Sequence, residues 1–420
     1  MRRTFAFAAF AATLAACGDQ TSPVAPAGPS NLLQDNSIIP GRYIVTVSDD
    51  VDPLPIAQQY GIRPDYVYES VLTGFAGNIG SVALEALKLD GRVRRIEPDG
   101  RTTAYNTTQT GATWGLDRID QRTLPLSTTY NYVSTGTGAT AYIVDTGIRY
   151  DHVEFGGRAT FGIDVMADSA TQRGADCNGH GTHVAGTVGG STYGVAKNVS
   201  LVAVRVLDCA GSGSFSGIIA GMDWIAQNGK LPAVANMSIG GLVPQRSASV
   251  DQATSNLVAS GVTVVLAAGN GVPNGGVGID ACNGSPGGHP LAITVGASDK
   301  SDNRTVWSNY GDCVTFFAPG SGIMSADFAS ATGAKSLSGT SMASPHVAGV
   351  AALYLQNAPG ASPATVKQAL YDASTKAVVQ LSLSTNNHMV YSLVPTPVVA
   401  PVETGTTPCT PKNKRKGTCK

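Results

Sequence analysis

The chain reads as an α/β protein: a mostly parallel sheet flanked by helices, preceded by a small α+β unit. Three observations predict this. Beyond Trp114 the sequence carries short, nearly continuous apolar runs, "ATAYIVDTGI", "NVSLVAVRVLD", "AVANMSIGG", "GVTVVLAAGN" and "LAITVGAS", which suit strands buried on both faces of a parallel sheet. Helical segments stand among them, "GTHVAGTVGG", "FSGIIAGMDWIAQNG" and "SVDQATSNLVASG", and a helix-covered parallel sheet requires that alternation. A polar stretch, "RTTAYNTTQTGAT", separates this region from an earlier one with a different pattern. With 420 residues there is room for one large domain and a smaller one.

The elements follow in chain order. The opening "MRRTFAFAAFAATLAACGDQ" has two arginines and an apolar run over residues 5–16, too short for a membrane span but suited to an export signal ending at residue 17. Its "LAAC" ending is similar to a bacterial lipobox, so lipidation of Cys17 is favoured over simple cleavage after a small residue. Residues 18–38 are a Pro/Ser/Ala-rich linker. In the unit 39–106, "GRYIVTVSDD" predicts a strand, and "VDPLPIAQQYGI" a helix interrupted by prolines. "PDYVYESVLTGFAGNI" predicts paired strands, and "SVALEALKLDGRVRRIEPDG" a helix over 81–88 and a final short strand. The polar stretch after it predicts an exposed linker open to proteolysis. The large unit occupies 107–393, its loops of catalytic potential expected at the carboxyl ends of the strands. The tail, 394–420, is Pro- and Thr-rich and ends "PCTPKNKRKGTCK", a basic run read as solvated.

Twenty-eight basic residues against 29 acidic ones leave a net charge of −1, with no electrostatic footprint for nucleic acid. Low charge, at 14%, and 50 glycines suit a compact, loop-rich extracellular protein. The seven cysteines fit an oxidising destination. With Cys17 set aside, Cys177, Cys209, Cys282, Cys313, Cys409 and Cys419 allow three sequential pairs. None forms a Cys-x-x-Cys pair, which argues against zinc.

Three motifs place an acid, an imidazole and a hydroxyl at element ends. Asp145 follows the apolar run "AYIV"; His180 sits among glycines in "DCNGHGTHVAG"; Ser341 opens the apolar helix of "LSGTSMASPHVAGVAAL". Alone, Ser341 would be a helix cap. Together the three have the order Asp, His, Ser, one of the known serine hydrolase orders. With "VDTGI" at 144–148, "NGHGTHVAGT" at 178–187, "AAGN" at 267–270 and "GTSMASPHVAG" at 339–349, the chain resembles the subtilases, most closely the proteinase K-like branch and its aqualysin-type precursors. The resemblance covers roughly residues 114–391 and implies a subtilisin-like fold and a secreted serine endopeptidase. A serine hydroxyl needs a base to attack a carbonyl. His180 would take its proton and pass it to the leaving amine, and Asp145 would orient the ring. His183, the second histidine of "HGTH", is expected to make a structural hydrogen bond instead.

The resemblance implies further roles. Asn270, with the Ser341 N–H, would meet the oxyanion. "GSGSF", with Gly211, Ser212, Gly213 and Phe215, and "SIG", Ser238, Ile239 and Gly240, would sandwich an extended substrate by strand addition. Ala267, Ala268 and Gly269 would line an uncharged pocket favouring an apolar or aromatic residue before the scissile bond, and Phe215 would face a second apolar pocket. The small unit resembles the inhibitor propeptide of the family, through "GRYIVTV" and "VRRIEPDG"; it would be the protein's own intramolecular inhibitor and folding aid, released by self-cleavage near residues 106–107. Disulfides Cys177–Cys209 and Cys282–Cys313 are implied, each worth roughly 3–4 kcal/mol in the chain-entropy model. A structural calcium site is implied through Asp117, Asp120, Gln121 and Ser127 in "WGLDRIDQRTLPLSTT". At a second family site the carbonyls of Pro290 and Ala292 are in place, but Thr315 stands where an aspartate is usual, so that site is expected to be weak or absent. The partners expected are protein or peptide substrates, the propeptide, and transiently a bacterial membrane for the lipid-anchored precursor; the enzyme is expected to be a monomer. The alternative is a catalytically silent binding protein of the same fold.

Overall fold

The computed structural model describes residues 38–100, 107–166, 173–240, 245–272 and 275–395, in two compact units divided between 100 and 107. The expected export signal with Cys17, the expected linker up to residue 37 and the expected tail from residue 396, with Cys409 and Cys419, lie outside the described residues; Ile38, placed in the linker, instead begins the first strand. The first unit runs β1 (Ile38–Val47), α1 (Pro53–Gln59), β2 (Tyr66–Tyr68), β3 (Gly74–Asn78), α2 (Ser81–Lys88) and β4 (Val93–Gly100). Its antiparallel sheet has the order β2-β3-β1-β4 and packs Val45, Val47 and Phe75 against Ile56 and Leu87 of the two helices. The prolines begin α1 rather than interrupt it. Asp52 caps the helix by accepting from Leu54 N, and Pro53 and Pro55 fall in the first turn, where backbone N–H groups have no intrahelical partner.

The second unit opens with β5 (Thr107–Thr110), α3 (Trp114–Ile119), β6 (Thr129–Tyr132), β7 (Thr140–Asp145) and β8 (Ala159–Asp164). It continues through α4 (His180–Gly189), β9 (Ser200–Arg205), α5 (Phe215–Asn228), β10 (Ala233–Met237), α6 (Ala248–Ala259) and β11 (Thr263–Ala267). Then come β12 (Ile293–Ser298), β13 (Phe316–Pro319), the hairpin β14 (Ile323–Ala326) and β15 (Ala334–Leu337), α7 (Thr340–Asn357), α8 (Pro363–Ala373), β16 (Thr375–Lys376) and β17 (His388–Met389). The central sheet has the order β16-β17-β13-β12-β11-β10-β7-β9-β8. Every pairing from β8 to β17 is parallel; β16 alone runs against its neighbour. The five apolar runs are β7, β9, β10, β11 and β12. The polar stretch differs from expectation in part, because Thr107–Thr110 pair with Thr129–Tyr132 as β5 and β6; backbone pairing needs no apolar side chain, so nothing in the composition announced it.

Two-sided burial explains the strand composition. Along β7, Ala141 and Ile143 face a core with Val184, Val188, Val347 and Ala351 of α4 and α7. Tyr142 and Val144 face the opposite core, with Ile218, Met222 and Leu257 of α5 and α6. Period two along one strand thus feeds two hydrophobic layers. Helix α7 is buried along residues 340–355, which is why it lacks a polar face. The chain reverses direction across the sheet at β7, with β9 and β8 on one side and β10 to β13 on the other; open α/β sheets bind ligands outside the carboxyl ends at such a point.

Candidate active site

Asp145 is the last residue of β7 and is fully buried, whereas His180, the first residue of α4, keeps 27% of its side chain exposed. Asp145 Oδ1 accepts from the backbone N–H of Thr146 at 2.8 Å and lies 2.7 Å from His180 Nδ1. The carboxylate therefore fixes the tautomer, with the proton on Nδ1 and the other ring nitrogen available as a base. Burial works against the charged ring, but the charge and hydrogen bond of Asp145, with the charge of Asp176, outweigh it and raise the imidazole above its ordinary value. Close backbone approach sets this geometry: a Cβ on Gly181 would stand 2.2 Å from the carbonyl oxygen of Gly147. His183 is turned away, its Nε2 donating to the carbonyls of Ile323 and Lys335 at 2.9 and 3.0 Å, and burial pushes it down to about 4.

Ser341 is the second residue of α7, and the residue capping that helix is Gly339, so the serine is not itself the cap. Its hydroxyl donates to the carbonyl of Ser238 at 3.1 Å. Ser238 Oγ donates back to the Ser341 carbonyl at 2.8 Å, which Pro345, lacking an N–H, leaves open inside the helix. Asn236 Nδ2 steadies Ser238 Oγ from β10 at 2.9 Å. Beside Ser341, Asn270 Oδ1 accepts from both the N–H and the hydroxyl of Thr340, at 2.8 and 2.9 Å. That assignment leaves Asn270 Nδ2 to point elsewhere. A Cβ on Gly339 would lie 3.5 Å from Asn270 Nδ2 and 3.6 Å from Ser341 N, so the two donors converge on space that glycine keeps open. Donors aimed at a developing oxyanion are each worth about 10²–10³ in kcat.

The remaining expected substrate residues lie at or just beyond the carboxyl ends of β9, β10 and β11. Gly211, Ser212 and Gly213 form an exposed turn anchored by Asp208, whose Oδ1 accepts from Ser212 N at 2.8 Å. Phe215 opens α5 and packs, half-buried, against the core beneath it. Ser238 and Ile239 are buried and Gly240 is exposed. Ala267 and Ala268 are buried, and Gly269 N donates to Thr340 Oγ1 at 3.1 Å while Asn309 Nδ2 holds the Ala268 carbonyl at 2.9 Å. Cys177 is bonded to Cys209 and Cys282 to Cys313. Sequence reasoning missed Thr340, Asn309 and Asp176, although Thr340 lies inside "GTSMASPHVAG" and Asp176 opens "DCNGHGTHVAG"; only Asn309 lies outside both motifs.

The loop expected to hold calcium is built largely on its own hydrogen bonds. Asp117 Oδ1 accepts from Ser127 N and Oγ at 3.0 and 2.9 Å, and Oδ2 from Thr128 N at 2.6 Å, steadying Thr128 at a left-handed φ of 61°. Asp120 Oδ2 accepts from Asn131 N and Nδ2, whereas its Oδ1 is buried without a partner among the described residues. Burial, foremost, raises the Asp120 carboxyl. Gln121 Nε2 donates to the carbonyls of Thr123 and Pro125. Among the described residues there is no cluster of three His, Cys, Asp or Glu side chains able to hold a metal. At the second location the carbonyls of Pro290 and Ala292 accept from Lys367 Nζ at 2.9 and 2.8 Å, so this chain's own ammonium stands against them.

A doubly covered parallel sheet with a buried carboxylate, an imidazole, a helix-start serine and paired amide donors at its carboxyl edge is the layout of a serine hydrolase. The sequence profile of the subtilase family matches residues 136–390. The chain is 47% identical over 373 residues to the extracellular serine proteinase of Thermus sp. (strain Rt41A), covering 83% of this chain and 88% of that one. It is 44% identical over 371 residues to the cuticle-degrading protease of Metarhizium anisopliae, covering 86% and 91%. The crystal structure of a cold adapted subtilisin-like serine proteinase superposes with a TM-score of 0.64 at 51% identity, over 68% of this chain and 100% of that one. The chain belongs to the subtilase family, and it is a subtilisin-like serine protease.

Proposed function

We propose that the protein is a secreted endopeptidase in which Ser341 attacks the scissile carbonyl, His180 moves the proton, Asp145 orients the ring, and Asn270 Nδ2 with the Ser341 N–H receives the oxyanion. The observation that carries this is the 2.7 Å bond from Asp145 to His180 Nδ1, set beside two amide donors around Gly339. The Ser341 hydroxyl, which rests on the Ser238 carbonyl, turns to His180 Nε2 and passes its proton there as the serine oxygen bonds to the carbonyl carbon; the proton then goes to the leaving amine as the C–N bond breaks, and water repeats the cycle on the acyl-enzyme. The small residues Ala267, Ala268 and Gly269 support a preference for an apolar or aromatic residue before the cut, with the 211–213 and 238–240 segments receiving the substrate backbone. A fluorophosphonate probe should label the wild type once, at Ser341, and leave Ser341→Ala unlabelled. Labelling elsewhere, or none, would reject the assignment.

The precursor reading extends this. Residues 39–106 act as folding aid and inhibitor, 107–393 are the mature enzyme, and Cys17 carries lipid until self-cleavage near 106–107 frees the catalytic unit. Calcium binds the loop 117–129: the unpartnered Asp120 Oδ1 supports this, with Asp117, Gln121 and Ser127 shaping the loop around it. The ion would supply charge compensation for a buried carboxylate and no part of the peptide-bond chemistry.

A further inference from the structure

We infer that Asp176 is a positioning residue for the reaction: its carboxylate ties the strand end that carries Asp145 to the helix turn that carries His180, and holds a second negative charge beside the imidazole. The inference rests on the protease reading above and deepens it. Asp176 Oδ1 accepts from Thr146 Oγ1 at 2.9 Å, Asn178 N at 2.9 Å and Gly179 N at 2.8 Å. Oδ2 accepts from Thr182 N at 2.9 Å and Thr182 Oγ1 at 2.6 Å. The same Thr146 donates its N–H to Asp145 Oδ1, and its hydroxyl accepts from Gly181 N at 2.9 Å. Both immediate neighbours of His180, and the immediate neighbour of Asp145, are thus linked to one carboxylate directly or through Thr146.

Helix α4 shows why the carboxylate is needed. Its cap residue is Gly179, with no side-chain acceptor of its own. Asp176 supplies the missing acceptor from three residues upstream, reaching Thr182 N, the third N–H of the helix, where a capping side chain normally bonds. Its charge also complements the positive helix end. A cap alone would not reach back to Thr146. The charges bearing on His180 are Asp145 from β7 and Asp176 from the preceding loop. His183, on α4 itself, is held neutral, and Lys335 of β15 acts on His183. Arg149 is paired with Asp151, and Arg205 of β9 with Asp164.

Asp176→Asn keeps the size of the side chain, removes its charge and turns one of its two accepting oxygens into an NH2 donor that the facing N–H groups cannot use. With turnover normalised to fluorophosphonate-titrated sites, the acid-limb midpoint of kcat/KM should fall by about half a unit, the effect of one nearby charge in a screened setting. At the same time kcat should drop about tenfold, with KM within about twofold, because misplacement acts on the chemical step. A midpoint unchanged to about 0.1 unit with kcat within about twofold of wild type would reduce Asp176 to a helix cap and overturn the inference. Should that variant fail to fold, Thr182→Val removes one bond to Oδ2, together with the one its hydroxyl accepts from Arg149 N, and leaves the charge. Its kcat should fall with an unmoved midpoint; an unchanged kcat would overturn the link. Failure of the wild type to react with the probe would reject the protease reading instead, so the two failures are separable.

Discussion

At the scale of single residues, the site depends on charges whose environments push them apart. Asp145 is buried, and the imidazole it contacts is more basic than an ordinary histidine. Only the neutral ring can accept the serine proton, so raising its pKa moves the onset of activity upward in pH. The acid limb of kcat/KM should therefore have its midpoint above about 6.5, the unperturbed histidine value. A pH–rate profile with its midpoint well below 6, or an optimum near pH 4, would contradict His180 as the base. The raised value carries a stability term as well: stabilisation from the Asp145 pair is complete below the unfolded histidine value and fades as pH rises through the folded one.

At the scale of elements, α4 and α7 each bury a histidine held neutral. Burial lowers His183 to about 4 and His346 to about 4; the first bonds the carbonyls of Ile323 and Lys335, the second that of Met342. Unfolded, both bind protons near pH 6.5, so between that value and about 4 the unfolded chain holds more protons than the folded one. Stability is then fully present above about 6.5 and is lost as pH falls towards 4, by several kcal/mol for the two groups together. Urea midpoints of the inhibited enzyme should drop steadily from pH 7 to pH 4.5. A flat profile would show that these rings are protonated in the fold or exposed. Elsewhere, α3 is locked by a buried ion pair in which Arg118 grips Asp302 at 2.6 and 3.0 Å and also the Gln121 carbonyl, tying the loop after α3 to the turn after β12.

At the scale of the whole molecule, the precursor and the ion are the testable features. If the first cut is the enzyme's own, Ser341→Ala should accumulate as an uncut chain that fractionates with membranes, while wild type yields a soluble mature form beginning near residue 107. Trimmed protein from a purified Ser341→Ala preparation, or mature enzyme that needs detergent, would contradict this. For calcium the informative quantity is the increment in Tm on adding the ion, which grows as RT ln(1 + [L]/Kd). Asp117→Ala would lower Tm regardless, because it removes three hydrogen bonds. Asp120→Asn is the cleaner variant, and it should abolish most of the increment. An increment equal to wild type would place the ion elsewhere.

Much of this protein was legible without coordinates. The parallel sheet was, because strands buried on both faces must be apolar without a break; so were the places of Asp145, His180 and Ser341 at element ends, whereas Asn270 stood out only through the resemblance of "AAGN" to a family motif. The helix at Ser81–Lys88 was readable locally too. What the tertiary structure alone decided are the contacts that make those residues work. Ser238 and Ser341 exchange hydrogen bonds across 103 positions, and Thr340 holds Asn270 across 70. Asp176 links Thr146 to Thr182, Lys367 takes the carbonyls of Pro290 and Ala292, and a polar stretch becomes β5. Periodicity records which face of an element meets the core. A hydrogen bond between polar groups from distant parts of the chain leaves no period, and its partner is chosen only when the sheet brings the strand ends together.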